Sequence, residues 1–259
     1  MRNSMGIIGN FKGNFLIDDP RAGFLNNTFA IGIADFLKEF MDVHCYDISD
    51  YKGSLGITSL VSSNPSFENI LIIQNQIPFK IDHPFKNVFY FHIDGTASIN
   101  PSSITHAFYL FNALRKHMYK VADNQTIILP FAHLKSFNPN RKKDIDISDI
   151  PRDVTFEEYK DQLERSQFTI IKANHWLSKR IPEAWACKTI PIIISVVPEM
   201  QKRYCRDHAI IVNYGGDPFS RAKGYTQERV NKAYEYLEKY HTLENRVRKM
   251  RAHLKKYMV

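Results

Sequence analysis

Short apolar runs alternate along the chain with longer stretches of helical periodicity. The runs are rich in β-branched residues and bounded by turn formers, which is typical of strands buried on both faces of a parallel sheet. The stretches between them place apolar residues three and four positions apart, as amphipathic helices do. The predicted strands cover residues 5–10, 43–46, 55–61, 67–75, 86–95, 126–131, 168–171, 190–194 and 209–212, and the predicted helices cover 25–40, 106–119, 155–165, 182–188, 226–240 and 242–259.

This alternation predicts parallel βαβ units and therefore an α/β fold. Two sets of units flank residues 137–152, a polar segment in which Arg141-Lys-Lys143 precedes three aspartates. Such a stretch indicates a linker or mobile loop. We expect two Rossmann-like lobes with a cleft between them: an N-terminal lobe over 1–136, a C-terminal lobe over 153–225 and C-terminal helices over 226–259.

The segment from Phe168 to Ser195 is the strongest candidate site, because two buried strands there flank a polar loop and a short helix. The helix would start at the carboxyl end of a parallel sheet, where α/β folds bind anionic ligands. Lys179, Arg180 and the helix-start amides suit a diphosphate. Glu183 could accept hydrogen bonds from ribose hydroxyls, with Pro182 at the first helical position. A surface Arg–Glu pair worth less than about 1 kcal/mol is the alternative interpretation.

Polar residues also follow two strands of the N-terminal lobe. His92 and Asp94 end an apolar strand, as side chains lining an α/β site do, although Asp94-Gly95 could equally serve a turn. After the first strand, a glycine-containing turn with Gly9, Asn10 and Lys12 could approach a ligand closely, but it lacks the spacing of a dinucleotide fingerprint.

Composition and charge narrow the range of binding partners that the protein could have. The 259-residue chain has a net charge of +8 and a pI of about 9.2, which suits nucleic acid, a nucleotide or an acidic glycan, although many small proteins are simply basic. Three scattered cysteines form neither a disulfide framework nor a metal-ligand spacing, which favours a cytoplasmic setting. We expect no transmembrane segment and no signal peptide. We also expect no metal site, since Asp144-Ile-Asp146, the one D-x-D match, falls in the charged linker.

Ser178-Lys-Arg-Ile-Pro-Glu-Ala-Trp-Ala-Cys-Lys-Thr-Ile-Pro-Ile-Ile193 resembles the donor-binding segment of GT-B glycosyltransferases, with its S-x-R-x-x-E-A-x-A-x-G-x-I-P-V-I pattern. The resemblance implies that Glu183 holds the ribose of a nucleotide sugar and that Arg180 lies near the diphosphate. Leu129–Pro139 is similar to the interlobe segment of these enzymes, and the C-terminal helices resemble those that cross back onto the N-terminal lobe. The chain departs from the family at His175, where many retaining members carry a second glutamate, at Lys188, which replaces a glycine, and in the shortness of its second lobe.

Val88–Asp94 and Arg180–Ala186 are similar to segments of the DNA-modifying β-glucosyltransferases of phages. This distant similarity, to enzymes of a small viral type, implies Asp94 as catalytic base, with His92 as the second choice. The expected reaction is an inverting single displacement with no obligatory metal. Ser178, Lys179, Arg180, Glu183 and His175 would bind the donor, a UDP-sugar by family frequency. The acceptor would be a glycan hydroxyl or a modified DNA base. A catalytically silent nucleotide- or nucleic-acid-binding module of the same fold is the competing reading.

Overall fold

The computed structural model describes residues 4–9, 11, 30–47, 67–74, 85–92, 106–110, 125–151, 154–173 and 177–257. These residues form two compact units. The first comprises the described residues up to Leu110, those from Gln125 to Ile128, and those from Val247 onward. The second runs from Leu129 to Arg246. Each unit is built around a parallel sheet, so the expected α/β class with two Rossmann-like units is confirmed at this level.

The first unit contains a six-stranded sheet in the order β2-β1-β3-β4-β5-β6, with every neighbouring pair parallel. Its order reverses between β1 and β3, which makes that point the topological switch of the sheet. One helix of this unit, α1, covers residues 30–38. The strands are β1 (Ser4–Gly9), β2 (Asp42–Asp47), β3 (Asn69–Gln74), β4 (Asn87–His92), β5 (His106–Leu110) and β6 (Gln125–Ile128).

Close packing of α1 on β1 depends on a glycine. A Cβ built on Gly9 would lie 2.9 Å from the Cβ of Ala30, the first described residue of α1. Both residues are buried, and Ile33 and Leu37 continue the buried face of the helix. Gly9 therefore serves the approach of helix to strand, a packing role that the sequence analysis did not separate from ligand approach.

β5 corrects the sequence analysis, which assigned residues 106–119 to a helix. His106 to Leu110 form a strand paired with β4 on one side and β6 on the other. The helical spacing of Ala107 and Leu110 is real, but parallel pairing on two sides overrides so short a local signal. Residues 111–119 and the predicted strand at 55–61 lie outside the described residues.

The second unit contains a four-stranded parallel sheet in the order β10-β9-β8-β7. Sequence patterns predicted three of these strands, whereas the fourth, over residues 145–148, lies inside the segment predicted to be the linker. Ile145 and Ile147 supply its apolar positions between exposed aspartates. The strands are β7 (Ile145–Ser148), β8 (Ser166–Lys172), β9 (Ile190–Ser195) and β10 (Ile210–Asn213).

Three helices connect these strands, namely α2 (Phe156–Arg165), α3 (Arg180–Ala186) and α4 (Pro198–Cys205). The predicted capping box opens α2: the amide of Glu158 donates to the Thr155 hydroxyl oxygen at 3.2 Å, and the amide of Thr155 donates to the Glu158 carboxylate at 2.8 Å. Two helices then close the chain, α5 (Gln227–Tyr240) and α6 (Leu243–Tyr257).

α6 begins in the second unit, and its residues from Val247 onward belong to the first. There, the guanidinium carbon of Arg251 lies 4.3 Å from the centre of the Phe40 ring. None of the helices in the described part of the chain is both long enough and apolar enough to cross a membrane.

Candidate functional site

The described residues that the sequence assigns to the donor lie at or next to the carboxyl edge of the second sheet. In a parallel βαβ unit, each crossover helix starts at the edge where the preceding strand ends. The starts of α2 and α3 therefore lie at this edge, together with Ser178, Lys179 and Arg180. His175, the fifth predicted donor residue, lies outside the described residues.

The carboxylate of Glu183 lies inside the protein, between two partners. One oxygen, Oε1, is 3.0 Å from the Lys179 Nζ, and the other, Oε2, accepts a 2.7 Å hydrogen bond from the Tyr159 hydroxyl. The side chains of Lys179 and Glu183 are only 7% and 2% exposed. A ribose hydroxyl could reach this carboxylate only if the surrounding side chains moved.

Burial sets the protonation behaviour of the partners of Glu183. It lowers the pKa of the Lys179 ammonium, because a charge is costly away from water, and the nearby Glu183 carboxylate opposes that fall. Burial also raises the pKa of the Tyr159 hydroxyl well above its usual range, and the Glu183 charge adds to the rise. The Tyr159 hydroxyl therefore keeps its proton at neutral pH and donates it to the Glu183 carboxylate.

Arg180 is half-buried and held from two sides. Its Nη1 donates to the carbonyl oxygen of Ile150 at 3.2 Å, in the segment that follows β7. Its guanidinium carbon also lies 5.0 Å from the centre of the Tyr159 ring. Because a guanidinium has five N–H donors, the Ile150 contact leaves capacity for an anion. Tyr159 thus contacts both Glu183 and Arg180 and couples the two.

The amides at the start of α3 are already engaged within the chain. The Arg180 amide donates to the Ser178 Oγ at 3.2 Å, the Ile181 amide to the Ser178 carbonyl at 3.2 Å, and the Glu183 amide to the Lys179 carbonyl at 3.3 Å. Pro182 has no amide hydrogen. The predicted use of these amides for a diphosphate is therefore not supported, which leaves the side chains of Ser178 and Arg180.

The position of Pro182 differs from the prediction. α3 begins at Arg180, so Pro182 is its third residue and Glu183 its fourth, instead of the first and second. Proline is tolerated there because the first amides of a helix have no intrahelical acceptor. With Glu183 one turn after Lys179, the two side chains meet on one face of the helix.

The end of α3 explains the departure at Lys188. The Thr189 amide donates to the Ala184 carbonyl at 2.8 Å and the Lys188 amide to the Trp185 carbonyl at 2.9 Å, which together form a Schellman motif. Lys188 has a φ of +55°, in the left-handed region that glycine adopts most easily. The glycine expected at this position from the resemblance would therefore satisfy a backbone requirement, which this chain meets with a strained lysine.

A half-buried lysine holds the far end of the same helix. The Lys143 Nζ donates to the carbonyl oxygens of Glu164 and Cys187 at 2.7 and 2.6 Å and to the Thr189 hydroxyl at 2.9 Å. Burial lowers its pKa to about 8. Lys143 comes from the polar segment predicted to be a linker, and it ties the ends of α2 and α3 together.

The predicted residues of the first unit are only partly described. Gly9 ends β1 and packs closely against α1. Just beyond it, the Phe11 amide donates to the Asp47 carboxylate at 2.7 Å. The backbone of His92 ends β4. Asp94, Asn10 and Lys12 lie outside the described residues, so the catalytic pair and the glycine turn stay predictions.

Tyr159 and Ile150 were missed by sequence reasoning. Tyr159 precedes Glu183 by 24 positions, and Ile150 precedes Arg180 by 30. The one signal for Tyr159 was its place on the apolar face of α2, a pattern that indicates burial but gives no partner.

Comparison with known proteins supports the fold. No protein-family model matches this chain, and no curated protein matches it. Among solved structures, it is similar to the crystal structure of AviGT4, a glycosyltransferase involved in avilamycin A biosynthesis. The likeness has a TM-score of 0.61 at 10% sequence identity and covers 98% of each chain. At this identity the likeness concerns the fold, and it extends over both units.

Proposed function

We propose that the protein is a glycosyltransferase that transfers a sugar from a nucleotide-sugar donor, a UDP-sugar in the first instance, to a hydroxyl group of a glycan. The observation that carries the proposal is the position of Arg180. This cation is held at the carboxyl edge of the second sheet, where anionic ligands bind in α/β folds. The likeness of fold to a glycosyltransferase over 98% of the chain supports the same class of reaction.

In this proposal Arg180 and Ser178 contact the diphosphate of the donor. A guanidinium matches two phosphate oxygens at once, and its contacts with Ile150 and Tyr159 fix it before the ligand arrives. Fixing the cation in advance lowers the entropy lost on binding. The Ser178 hydroxyl, whose oxygen accepts the Arg180 amide, can still donate its own hydrogen to a phosphate.

Glu183 has a different role here from the one that the resemblance implies. Its carboxylate is 2% exposed and meets Lys179 and Tyr159, so it acts as a positioning residue that holds Tyr159 beneath Arg180. The two roles differ in a measurable way. If Glu183 binds the ribose hydroxyls, the wild type should bind UDP more tightly than 2′,3′-dideoxy-UDP, and Glu183→Gln should lose that preference. If Glu183 is a positioning residue, Glu183→Gln should weaken the binding of both nucleotides equally.

The chemical step is a single displacement. The acceptor hydroxyl oxygen attacks the anomeric carbon, the bond from that carbon to the diphosphate oxygen breaks, and the hydroxyl proton passes to Asp94 as general base. His92 is the second choice of base. Arg180 stabilises the negative charge that develops on the leaving diphosphate, so the reaction as proposed has no obligatory metal.

A thermal-shift panel of UDP-, GDP-, dTDP- and CMP-sugars, run in EDTA, tests the donor site. A ligand at a hundred times its Kd stabilises the folded protein by about 2.7 kcal/mol. We expect one donor class to raise the melting temperature of the wild type and of Arg141→Ala, a surface arginine paired with Asp161, but not of Arg180→Ala. If no nucleotide sugar stabilises the wild type, the donor site is refuted, and a silent module of this fold becomes the better reading.

Turnover tests the chemistry separately. Asp94→Asn should keep the stabilisation by the donor and lose transfer, since only the base is removed. Transfer at the wild-type rate in Asp94→Asn would overturn the assignment of the base and leave the donor site standing. Glycans and duplex DNA with hydroxymethylated bases, supplied as alternative acceptors, distinguish the two acceptor classes.

A further inference from the structure

The loop that follows β10 is a tight turn with a large aromatic side chain at its corner. The Gly216 amide donates to the Asn213 carbonyl at 2.9 Å, and Gly215 has a φ of +84°, so residues 213–216 form a turn with positive φ at its third position. Tyr214 is the second residue of this turn. Its amide donates to the Ser195 carbonyl at 3.1 Å, which extends the pairing of β9 and β10 by one residue.

Both glycines of the turn are required by its geometry. Gly215 needs the left-handed φ, and a Cβ on Gly216 would lie 2.8 Å from a methyl group of Val212. Further along, the Asp217 carboxylate accepts the amides of Phe219 and Ser220 at 2.9 and 3.3 Å and so fixes the next turn. The backbone is therefore well determined on both sides of Tyr214.

Two large apolar side chains in the segment after β10 are exposed, as is one after β9. Tyr214 is 68% exposed and Phe219 59%, and Val196, which follows the neighbouring strand β9, is 41% exposed. Single exposed hydrophobic residues are common, but several that follow the ends of neighbouring strands indicate a candidate binding surface. We call Val196, Tyr214 and Phe219 the aromatic edge.

The aromatic edge and the candidate diphosphate site lie on the same side of the second sheet. The sheet is parallel, Tyr214 follows β10, and Ser178 and Arg180 follow β8, which is two strands away. Adjacent strands are about 4.8 Å apart, so these loops start roughly 10 Å from each other. An extended nucleoside diphosphate can bridge that distance.

We infer that Tyr214 is the platform on which the base of the nucleotide donor stacks, with the diphosphate directed toward Arg180. This inference rests on the proposed function. An exposed tyrosine ring offers a flat apolar face, and every nucleobase has a face that can stack on it. Stacking of this kind gives affinity without choosing among bases, so base choice is left to other contacts.

Titration calorimetry with UDP and with inorganic pyrophosphate, which lacks the base, tests this platform. Removing an aromatic platform weakens base binding by about 1–3 kcal/mol, so Tyr214→Ala should raise the Kd for UDP roughly 5- to 150-fold. Tyr214→Phe keeps the flat ring and should bind UDP as the wild type does. Pyrophosphate binding should be unchanged in Tyr214→Ala and weakened in Arg180→Ala.

Tyr240→Ala serves as the matched control, because Tyr240 is also an exposed tyrosine, 38% exposed, but ends α5. Equal UDP affinity in wild type and Tyr214→Ala would overturn the platform while leaving the donor site intact. In that case a raised KM for the glycan acceptor in Tyr214→Ala would assign the aromatic edge to the acceptor instead. If the wild type binds neither UDP nor any other nucleotide, the donor site itself is refuted and the platform with it.

Discussion

Replacing Glu183 by glutamine removes the counter-charge of a buried lysine while keeping the size of the side chain. The Lys179 side chain is 7% exposed, and the carboxylate of Glu183 is 3.0 Å from its Nζ. Glutamine can still accept the hydrogen bond of the Tyr159 hydroxyl, so the main loss is the negative charge. The variant therefore isolates the electrostatic part of this cluster.

The expected cost follows from the burial of the pair. Breaking a buried ion pair by removing one partner costs about 3–5 kcal/mol, because the remaining charge is left uncompensated away from water. Domains are stable by only about 5–15 kcal/mol, so the loss would be a large part of the total. Glu228→Gln is the matched control, since Glu228 and Lys232 have the same spacing along a helix and a 2.6 Å contact but are 76% and 63% exposed. We expect the control to change stability by less than about 0.5 kcal/mol.

Urea unfolding followed by tryptophan fluorescence measures the effect. Trp185 is fully buried in α3, two positions after Glu183, so its fluorescence reports the unfolding of the helix that carries the cluster. The stability deficit of Glu183→Gln should also shrink as the pH rises. Without the Glu183 charge, which opposes the fall in the wild type, the pKa of Lys179 should lie lower still. The deficit is then complete below that pKa and shrinks as the pH rises from it toward the pKa of an unfolded lysine.

A Glu183→Gln variant as stable as Glu228→Gln at pH 7 would refute this reasoning. It would mean that the carboxylate is solvated in solution and not buried between Lys179 and Tyr159. Such an exposed Glu183 would be accessible to a ligand, and the ribose role implied by the resemblance would then become the better assignment.

Three further predictions concern backbone and pH. Lys188→Gly should be more stable than Lys188→Ala by about 1 kcal/mol in urea unfolding, because only glycine adopts a φ of +55° without strain. Both variants lose the contact of Lys188 with the Tyr234 ring, so that loss cancels in the comparison. Equal stability of the two variants would refute the strain. Gly9→Ala should lower the stability by about 1–3 kcal/mol, seen as a lower melting temperature, since the new methyl group would lie 2.9 Å from Ala30; an unchanged melting temperature would mean that α1 moves freely. The stability of the wild type relative to Lys143→Met should rise between pH 7 and pH 9.5, by at most about 3 kcal/mol. The reason is that a lysine with a pKa of about 8 in the folded protein binds fewer protons there than in the unfolded chain. A stability difference that stays flat or falls would contradict the burial of this amine.

Sequence patterns were sufficient where structure is local. The capping box at Thr155 and Glu158 depends on residues three positions apart, and the sequence predicts it correctly. β8 and β9 were predicted from continuous apolar runs, since strands covered on both faces need no alternation. The carboxyl-edge placement of Ser178 and Arg180 followed from the order of elements alone.

The features that the sequence did not predict depend on contacts between residues distant in the chain. β5 was predicted to be a helix because neighbours in sequence suggested one, whereas its pairing partners β4 and β6 are distant in the chain. β7 was hidden among charged residues, and only its pairing with β8 makes it a strand. The burial of Glu183 depends on Tyr159, which belongs to another helix. A spacing pattern can place Lys179 and Glu183 on one face, but it cannot show that this face is covered.

The segment that resembles glycosyltransferases serves the fold in most of its positions. Ala184, Trp185 and Ala186 are at most 1% exposed, and the position of Lys188 is set by the turn that ends α3. Only the side chains at the start of the segment, those of Ser178 and Arg180, are both polar and partly exposed at the carboxyl edge. The matching positions of this segment therefore mainly reflect how a helix packs between two strands. A functional inference from this segment therefore rests on Arg180, and the proposed donor site is tested by whether Arg180→Ala abolishes donor binding.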